Sequence, residues 1–331
     1  MQAHIGEADV KVGLVGVSHW HAGMHAHAVT SAGATLLGVW DDDADVAQEF
    51  ADTYRTRALD LAAIETEADL IVVMGRPDRV PGLAARFIAA GKPIVLEKPA
   101  AVRTTDLEAL AAQALARDTF VAVPLPNRLG PAMVEYRRLN EAGRAGAIAH
   151  AHFRIVNGPP QRYRDDGVGW MLDPTISGGG ALRNLGIHGV DAALALASGD
   201  LSLRSASIRR SIHKSEAVED HALLVLTDEA GALFTVEAGY TYASMQAGGD
   251  FEWRIAAANS YLIDTGDAAF AATLDDAKRR SLAPLPPSVR YDAFTADTLA
   301  RLQAGEPPSV GIADYVRAMR LIDLAYEEAL H

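Results

Sequence analysis

The 331-residue sequence contains no cysteine. That absence excludes disulfides, thiolate chemistry and cysteine-based metal sites. There is no run of lysine and arginine, and the formal net charge is −13. Nucleic acids and anionic membranes bind concentrated positive charge, so neither is expected as a partner. No uninterrupted apolar run is long enough to span a bilayer. The opening residues, MQAHIGEADV, have neither the basic start nor the apolar stretch of a secretory signal. Together these absences predict a cytoplasmic protein.

What is present is an ordinary globular balance, with 49% hydrophobic and 22% charged residues. The length suits two domains, placed here at residues 1–124 and 125–331. In the first, apolar runs at Val10–Val17, Thr35–Asp41, Leu70–Met74, Pro93–Glu97 and Thr119–Val123 alternate with helical stretches. Such alternation implies an α/β fold with a doubly wound parallel sheet covered on both faces. Ligands of these sheets bind outside the carboxyl ends of the strands. After Pro126 the rhythm changes. A helix over Pro131–Gly143 precedes strands at Ala147–Val156, Leu203–His213, Ala222–Thr227, Ala232–Ala238 and Phe251–Ala257. Short turns such as Asp228–Gly231 imply a large, mostly antiparallel sheet, one face of which can stay open. Gly266–Pro287 reads as a long loop, and Ala313–Leu330 as a closing amphipathic helix.

Three places carry chemistry. The first is the turn after the first strand, where Gly16 fits the opening position of a dinucleotide fingerprint, and Ser18 and His21 occupy its other two glycine positions. Asp41 ends the second strand, where a carboxylate accepts hydrogen bonds from a ribose diol, and with Asp42 and Asp43 it repels a 2′-phosphate. NAD is therefore expected over NADP. Asp43 is expected to cap the next helix. His21 and His25 have the spacing of a helical metal pair but no third ligand nearby, so no metal is expected. The second place is Glu97-Lys98-Pro99, where the lysine is projected from a strand end.

The third is SGGGALRNLGIHGVD, residues Ser177–Asp191. Three glycines let the backbone bend and approach a ligand. Asn184, His188 and Asp191 then fall at i, i+4 and i+7 of a helix, on one polar stripe with apolar flanks. Convergent polar groups in an apolar setting mark a site.

Several of these pieces together resemble the glucose–fructose oxidoreductase / inositol dehydrogenase / MocA family. The resemblance rests on Gly13–His21, AAGKPIVLEKPAA at Ala89–Ala101, Asn127-Arg128 before Pro131, and Trp170-Met-Leu-Asp-Pro174 leading into the glycine run. It extends to EDHALLVLTDEAGALFTVEAG and the last helix. It implies a Rossmann domain followed by an α/β domain whose open sheet serves oligomer contacts, in a homodimer or homotetramer. It also implies an NAD(P)-dependent oxidoreductase acting on sugars, cyclitols or related polyols. By that resemblance Lys98 and His188 form the catalytic pair, and Asn184 and Asp191 support substrate. Trp170, Arg128 and Arg162 are pocket walls. Gly16, Ser18, His19, Trp20, Asp41, Gly75, Glu97 and Asn127 are the cofactor contacts. Asn184 stands where members often carry Asp, which removes one proton acceptor, and Arg76-Pro77-Asp78 replaces a commoner Thr-Pro-Asn. Two rivals remain: a member that uses NAD without net turnover, for elimination or glycoside cleavage, and a non-catalytic regulator. Retention of both Lys98 and His188 argues against the second.

Overall fold

A computed structural model describes residues 10–246, 248–276 and 278–329. Residues 1–9, where the sequence is read as lacking a secretory signal, and residues 330–331, which include the Leu330 end expected for the last helix, lie outside the described residues. The chain forms two compact units. The first takes the residues up to Pro124, Ile176–Gly178 and Tyr291–Val316; the second takes Leu125–Thr175, Gly179–Arg290 and the residues from Arg317 on. The sequence places one break, after residue 124, whereas the chain also returns to the first unit at Tyr291.

The first unit alternates β1 (Lys11–Val15), α1 (Ala22–Ser31), β2 (Thr35–Trp40), α2 (Ala44–Tyr54), α3 (Leu61–Glu67) and β3 (Leu70–Val73). It continues through α4 (Val80–Ala89), β4 (Ile94–Leu96), α5 (Thr104–Ala116) and β5 (Val121–Ala122). All pairings are parallel, in the order β2-β1-β3-β4-β5. Val12, Leu14, Ile71, Val73, Ile94 and Leu96 are buried, as a parallel sheet covered on both faces requires. The order reverses between β1 and β3, the position at which doubly wound sheets bind ligands. The returning segment extends the β5 end, with an isolated bridge between Ala122 and Gly311.

The second unit contains α6 (Pro131–Glu141), β6 (Ile148–Asn157), α7 (Gln161–Asp165) and the first half of α8 (Pro174–Ser177), whose last two residues belong to the first unit. A π-helical turn at Leu182–Gly186 runs directly into α9 (Ile187–Leu196). The remaining strands are β7 (Ser202–Arg209), β8 (His221–Thr227), β9 (Leu233–Gly239), β10 (Gly249–Ala257), β11 (Ser260–Asp264), β12 (Ala269–Thr273) and β13 (Arg280–Leu282). They form one eight-stranded sheet in the order β13-β12-β11-β10-β6-β9-β8-β7. Every pairing is antiparallel except β6 with β9. Phe153, Leu224, Phe234, Val236, Trp253 and Ile255 form the buried face. A Cβ on Gly189 would meet Val236 Cγ1 at 2.7 Å, so glycine there lets α9 lie close on the sheet. The opposite face is mixed: Arg154 pairs with Asp250 at 3.0 Å and Glu237 at 3.4 Å, while Leu223, Leu233 and Tyr261 are exposed. Helices α10 (Arg290–Ala304) and α11 (Ile312–Glu328) complete the chain.

Three sequence expectations need correction. Gly266–Pro287 is not a loop, since it holds β12 and β13. The buried side of β12 is built from Ala269 and Ala271, and alanine carries little strand signal. The strand expected to run to His213 stops at Arg209. Beyond it, the Asp220 carboxylate accepts the backbone N–H groups of Ser211, Ile212 and His213 at 2.6, 2.7 and 2.5 Å and turns the chain. The stripe helix does not start as a regular α-helix, because Leu182–Gly186 is π-helical.

Candidate active site

In the first unit Val15 of β1 pairs with Val73 of β3, so the turns that follow the two strands lie side by side. Gly16 has φ +87°, and a Cβ there would overlap the Met74 carbonyl oxygen. Gly75, next to Met74, has φ +133°. Both positions therefore demand glycine, and together they leave bare backbone at the switch point. The acidic trio divides its work. Asp41 accepts from Ser18 N at 2.7 Å and Asp43 N at 3.2 Å, tying the end of β2 to the glycine turn. Asp42 pairs with Arg79. Asp43 caps α2, accepting from Asp45 N at 3.0 Å and Val46 N at 3.4 Å. The buried Asp41 carboxylate retains lone pairs beyond those two bonds. This donor and acceptor set fits a dinucleotide: bare backbone could take its diphosphate, and Asp41 could accept hydrogen bonds from its ribose.

Lys98 follows β4 at the carboxyl edge of the same sheet and is 2% exposed. Its ammonium lies 5.9 Å from the centre of the Trp20 ring. Burial lowers its pKa, and the Glu97 carboxylate partly restores it. The Glu97 side chain is fully buried and accepts a hydrogen bond from Lys98 N at 3.1 Å. It also meets His21 Nδ1 at 3.1 Å, His25 Nε2 at 2.6 Å and the Tyr291 hydroxyl at 3.3 Å. Tyr291 reaches His21 Nδ1 as well, at 2.9 Å. Burial brings the His21 pKa down to about 4 despite the raising influence of Glu97. On the other side of the motif Ala100 N donates to the Tyr315 hydroxyl at 3.2 Å. His19 is buried and stacks on Trp20 with centroids 4.2 Å apart. Burial holds its pKa well below the usual range. The sequence reading missed Tyr291 and gave His25 no role. The available signal was the i, i+4 spacing of His21 and His25, which turns both rings toward one partner.

In the second unit Asn184, His188 and Asp191 are all buried, at 2%, 9% and 1% exposure. Asn184 Nδ2 donates to the Tyr163 and Tyr240 hydroxyls, each at 3.1 Å. Burial pushes Tyr163 up to about 12 and Tyr240 well above its usual value, so both hydroxyls stay protonated at neutral pH. Asp191 holds Arg128 through two bonds, Nε at 2.8 Å and an Nη at 2.5 Å. The structure thus brings Arg128 and Asp191 together and directs Asn184 to two tyrosines. Asn127 Oδ1 accepts from Arg290 at 2.9 Å, and Arg290 pairs with Asp264 at 2.6 Å in a fully buried cluster. Trp170 lies in a short 3-10 helix, Gly169–Leu172, and Arg162 donates to Gly248 O at 3.0 Å.

Two of the three glycines have a different use from the one expected. A Cβ on Gly179 would strike the Tyr326 hydroxyl, and one on Gly180 the Glu219 backbone oxygen. Glu219 accepts from Gly180 N and Leu182 N, both at 2.9 Å, and from Tyr326 at 2.7 Å. These glycines make room for a buried carboxylate of the protein itself.

Residues 10–125 match the oxidoreductase family with an NAD-binding Rossmann fold, and residues 133–259 match the GFO/IDH/MocA C-terminal domain. The chain belongs to the Gfo/Idh/MocA family. A relative in this family, inositol 2-dehydrogenase 2 of Saccharopolyspora erythraea, is 27% identical over 246 residues, covering 70% of this chain and 68% of its own. Levoglucosan dehydrogenase, solved with NADH and levoglucosan, superposes with a TM-score of 0.85 over 98% of each chain at 18% identity. An oxidoreductase from Agrobacterium radiobacter, solved with NAD+, L-tartaric acid and magnesium, gives 0.84 at 19% identity, covering 98% of this chain and 97% of that one. Like these Gfo/Idh/MocA proteins, the chain is an NAD-binding oxidoreductase of the dehydrogenase type. Among the described residues, no helix is long and apolar enough to cross a membrane.

Proposed function

We propose that the protein oxidises a secondary alcohol of a sugar, cyclitol or related polyol with NAD, using Lys98 and His188 as the catalytic pair. The observation that carries this reading is the buried Lys98 ammonium on the same sheet edge as the Gly16–Gly75 cradle. Gly16, Gly75 and Asp41 would hold the dinucleotide, and when bound its nicotinamide supplies the hydride acceptor. Alcohol oxidation also needs a group to take the hydroxyl proton, and an imidazole nitrogen of His188 is suited to that at neutral pH. Lys98 donates a hydrogen bond to the same oxygen and stabilises the negative charge that develops on it. Arg128, fixed by Asp191, offers planar donors to further substrate hydroxyls. Asn184 orients but cannot take a proton. The relatives named inositol 2-dehydrogenase 2 and levoglucosan dehydrogenase support a polyhydroxylated substrate. The mixed face of the eight-stranded sheet supports association as a homodimer or homotetramer.

The test is a panel of cyclitols, sugars and hydroxy acids assayed for NADH formation by absorbance. At least one polyol should give sustained NADH release proportional to enzyme. Substrate consumption without net NADH would replace this reading with one in which the cofactor is recycled.

A further inference from the structure

We propose that Tyr291, His21 and His25 are positioning residues that act through Glu97 to fix Lys98 and keep a carboxylate charge beside its ammonium. The proposal rests on the reading of Lys98 as catalytic and assigns the residues behind it.

The Glu97 side chain is fully buried, and an isolated buried carboxylate is strongly disfavoured. Its stabilisation comes from His21, His25, Tyr291 and the backbone N–H of Lys98. None of these is a lysine or arginine side chain that would cancel the charge by direct contact. His21, whose pKa burial takes to about 4, is neutral at pH 7 and contributes a hydrogen bond without a charge. The carboxylate's field is left to act on the next residue in the chain, Lys98. There burial and Glu97 pull the ammonium's pKa in opposite directions. The charged and titratable groups facing Glu97 are thus His21 on the glycine turn, His25 on α1, Lys98 on its own strand end and Tyr291 on α10, with His19 nearby.

The geometry also fixes position. Tyr291 bonds both Glu97 oxygens and His21, and its ring meets the rings of His21 and His25 edge-on at 5.2 and 5.1 Å. Residue 97 is thus held by Tyr291 and residue 100 by Tyr315, both from the segment that returns to this unit. Lys98 sits between the two braced positions, so its stem has a fixed base. A hydrogen-bonded network of this kind is worth more than its separate bonds because each polarises the next.

Two variants and one substrate-free readout test it. Tyr291→Phe keeps the ring packing and removes one hydroxyl. It should lower turnover about tenfold, in the range seen when residues supporting a first contact layer are removed, with NAD affinity by calorimetry and melting temperature unchanged. Glu97→Gln should lower the pH at which the Lys98 ammonium titrates by about one unit, followed by NMR of labelled lysine in protein without substrate. An unmoved Lys98 titration in Glu97→Gln would overturn the electrostatic half of the proposal. Wild-type turnover in Tyr291→Phe would overturn the positioning half, as would turnover lost in step with melting temperature and NAD affinity. Lys98→Ala, assayed in parallel, separates these outcomes from failure of the catalytic reading, because full turnover in that variant would sink the reading itself.

Discussion

Each unit of the molecule buries a glutamate beside a turn that carries glycine, and the two are stabilised in opposite ways. Glu219 is held by the backbone N–H groups of Gly180 and Leu182 and by Tyr326. Glu97 is held mainly by side chains that titrate or rotate, His21, His25 and Tyr291, with one backbone N–H from Lys98. Backbone amides cannot change protonation, so Glu219 rivets the glycine run to its neighbours whatever the pH between its own titration and strong alkali. Burial raises its pKa, and the amide bonds only partly offset that. The Glu97 cluster has internal degrees of freedom and sits directly against the buried Lys98. The contrast teaches that burial of an acid does not itself signal chemistry; the nature of its donors does.

The largest effect on this contrast is expected at Lys98 and His188, the proposed catalytic pair. Lys98→Ala and His188→Ala should each lower turnover by about 10² or more, since a positioned acid–base group contributes about 10²–10⁴-fold. The double variant should lose less than the product of the two. Steady-state NADH formation measures all three, and additive losses would mean the residues act on separate steps. Next, Glu219→Ala leaves two buried N–H groups without their acceptor and should cost about 3 kcal/mol of stability by urea unfolding. Turnover per folded molecule should hardly change. A large loss of turnover at full stability would place Glu219 in the chemistry and end the distinction.

Acid should expose the first cluster sooner than the second. His21 has its pKa lowered from 6.5 to about 4, so the folded state disfavours its protonated form. The unfolded chain therefore binds the extra proton first as pH falls. The stability that neutral His21 confers is present in full above pH 6.5 and is lost progressively down to about pH 4, amounting to about 3 kcal/mol. Calorimetric melting across that window should show the decline, and His21→Gln should flatten it. The smallest effect is at cofactor choice. Asp41→Ala removes the acceptor for Ser18 N and one acidic group, and should narrow the preference for NAD over NADP by about tenfold in binding titrations. An unchanged ratio would show that Asp41 serves only the turn.

How much of this was legible depended on sequence distance. The five parallel strands announce themselves because strands buried on both faces are nearly continuous apolar runs, as in Leu70–Val73. Lys98, Asp41 and Gly16 stand out in the sequence because each has its place at a strand end. Tyr291 was not, because it meets Glu97 across 194 residues and its tyrosine differs in no local way from the chain's others. The role of Gly179 and Gly180 was misread for the same reason, since the atoms that exclude a Cβ belong to Tyr326 and Glu219. The π turn at Leu182–Gly186 leaves no trace in apolar spacing over so few residues. Asn127 is expected as a cofactor contact by the resemblance alone; its side-chain oxygen accepts a hydrogen bond from Arg290, a partner far along the chain that no local pattern announces.

The strand order of the large sheet has a consequence for how the protein behaves when concentrated. An eight-stranded sheet that does not close must end somewhere, and each end is a row of unsatisfied backbone groups able to recruit another chain. Here one margin is β13, only three residues long, begun by exposed Arg280 and followed by Pro284, Pro286 and Pro287, which have no N–H to donate. The other is β7, with exposed Arg204 and Arg209 along it. Shortness, charge and proline blunt the β13 margin, and charge alone the longer β7 margin, against open-ended growth into fibres, which favours keeping a broad, partly apolar sheet face without polymerising through its rim.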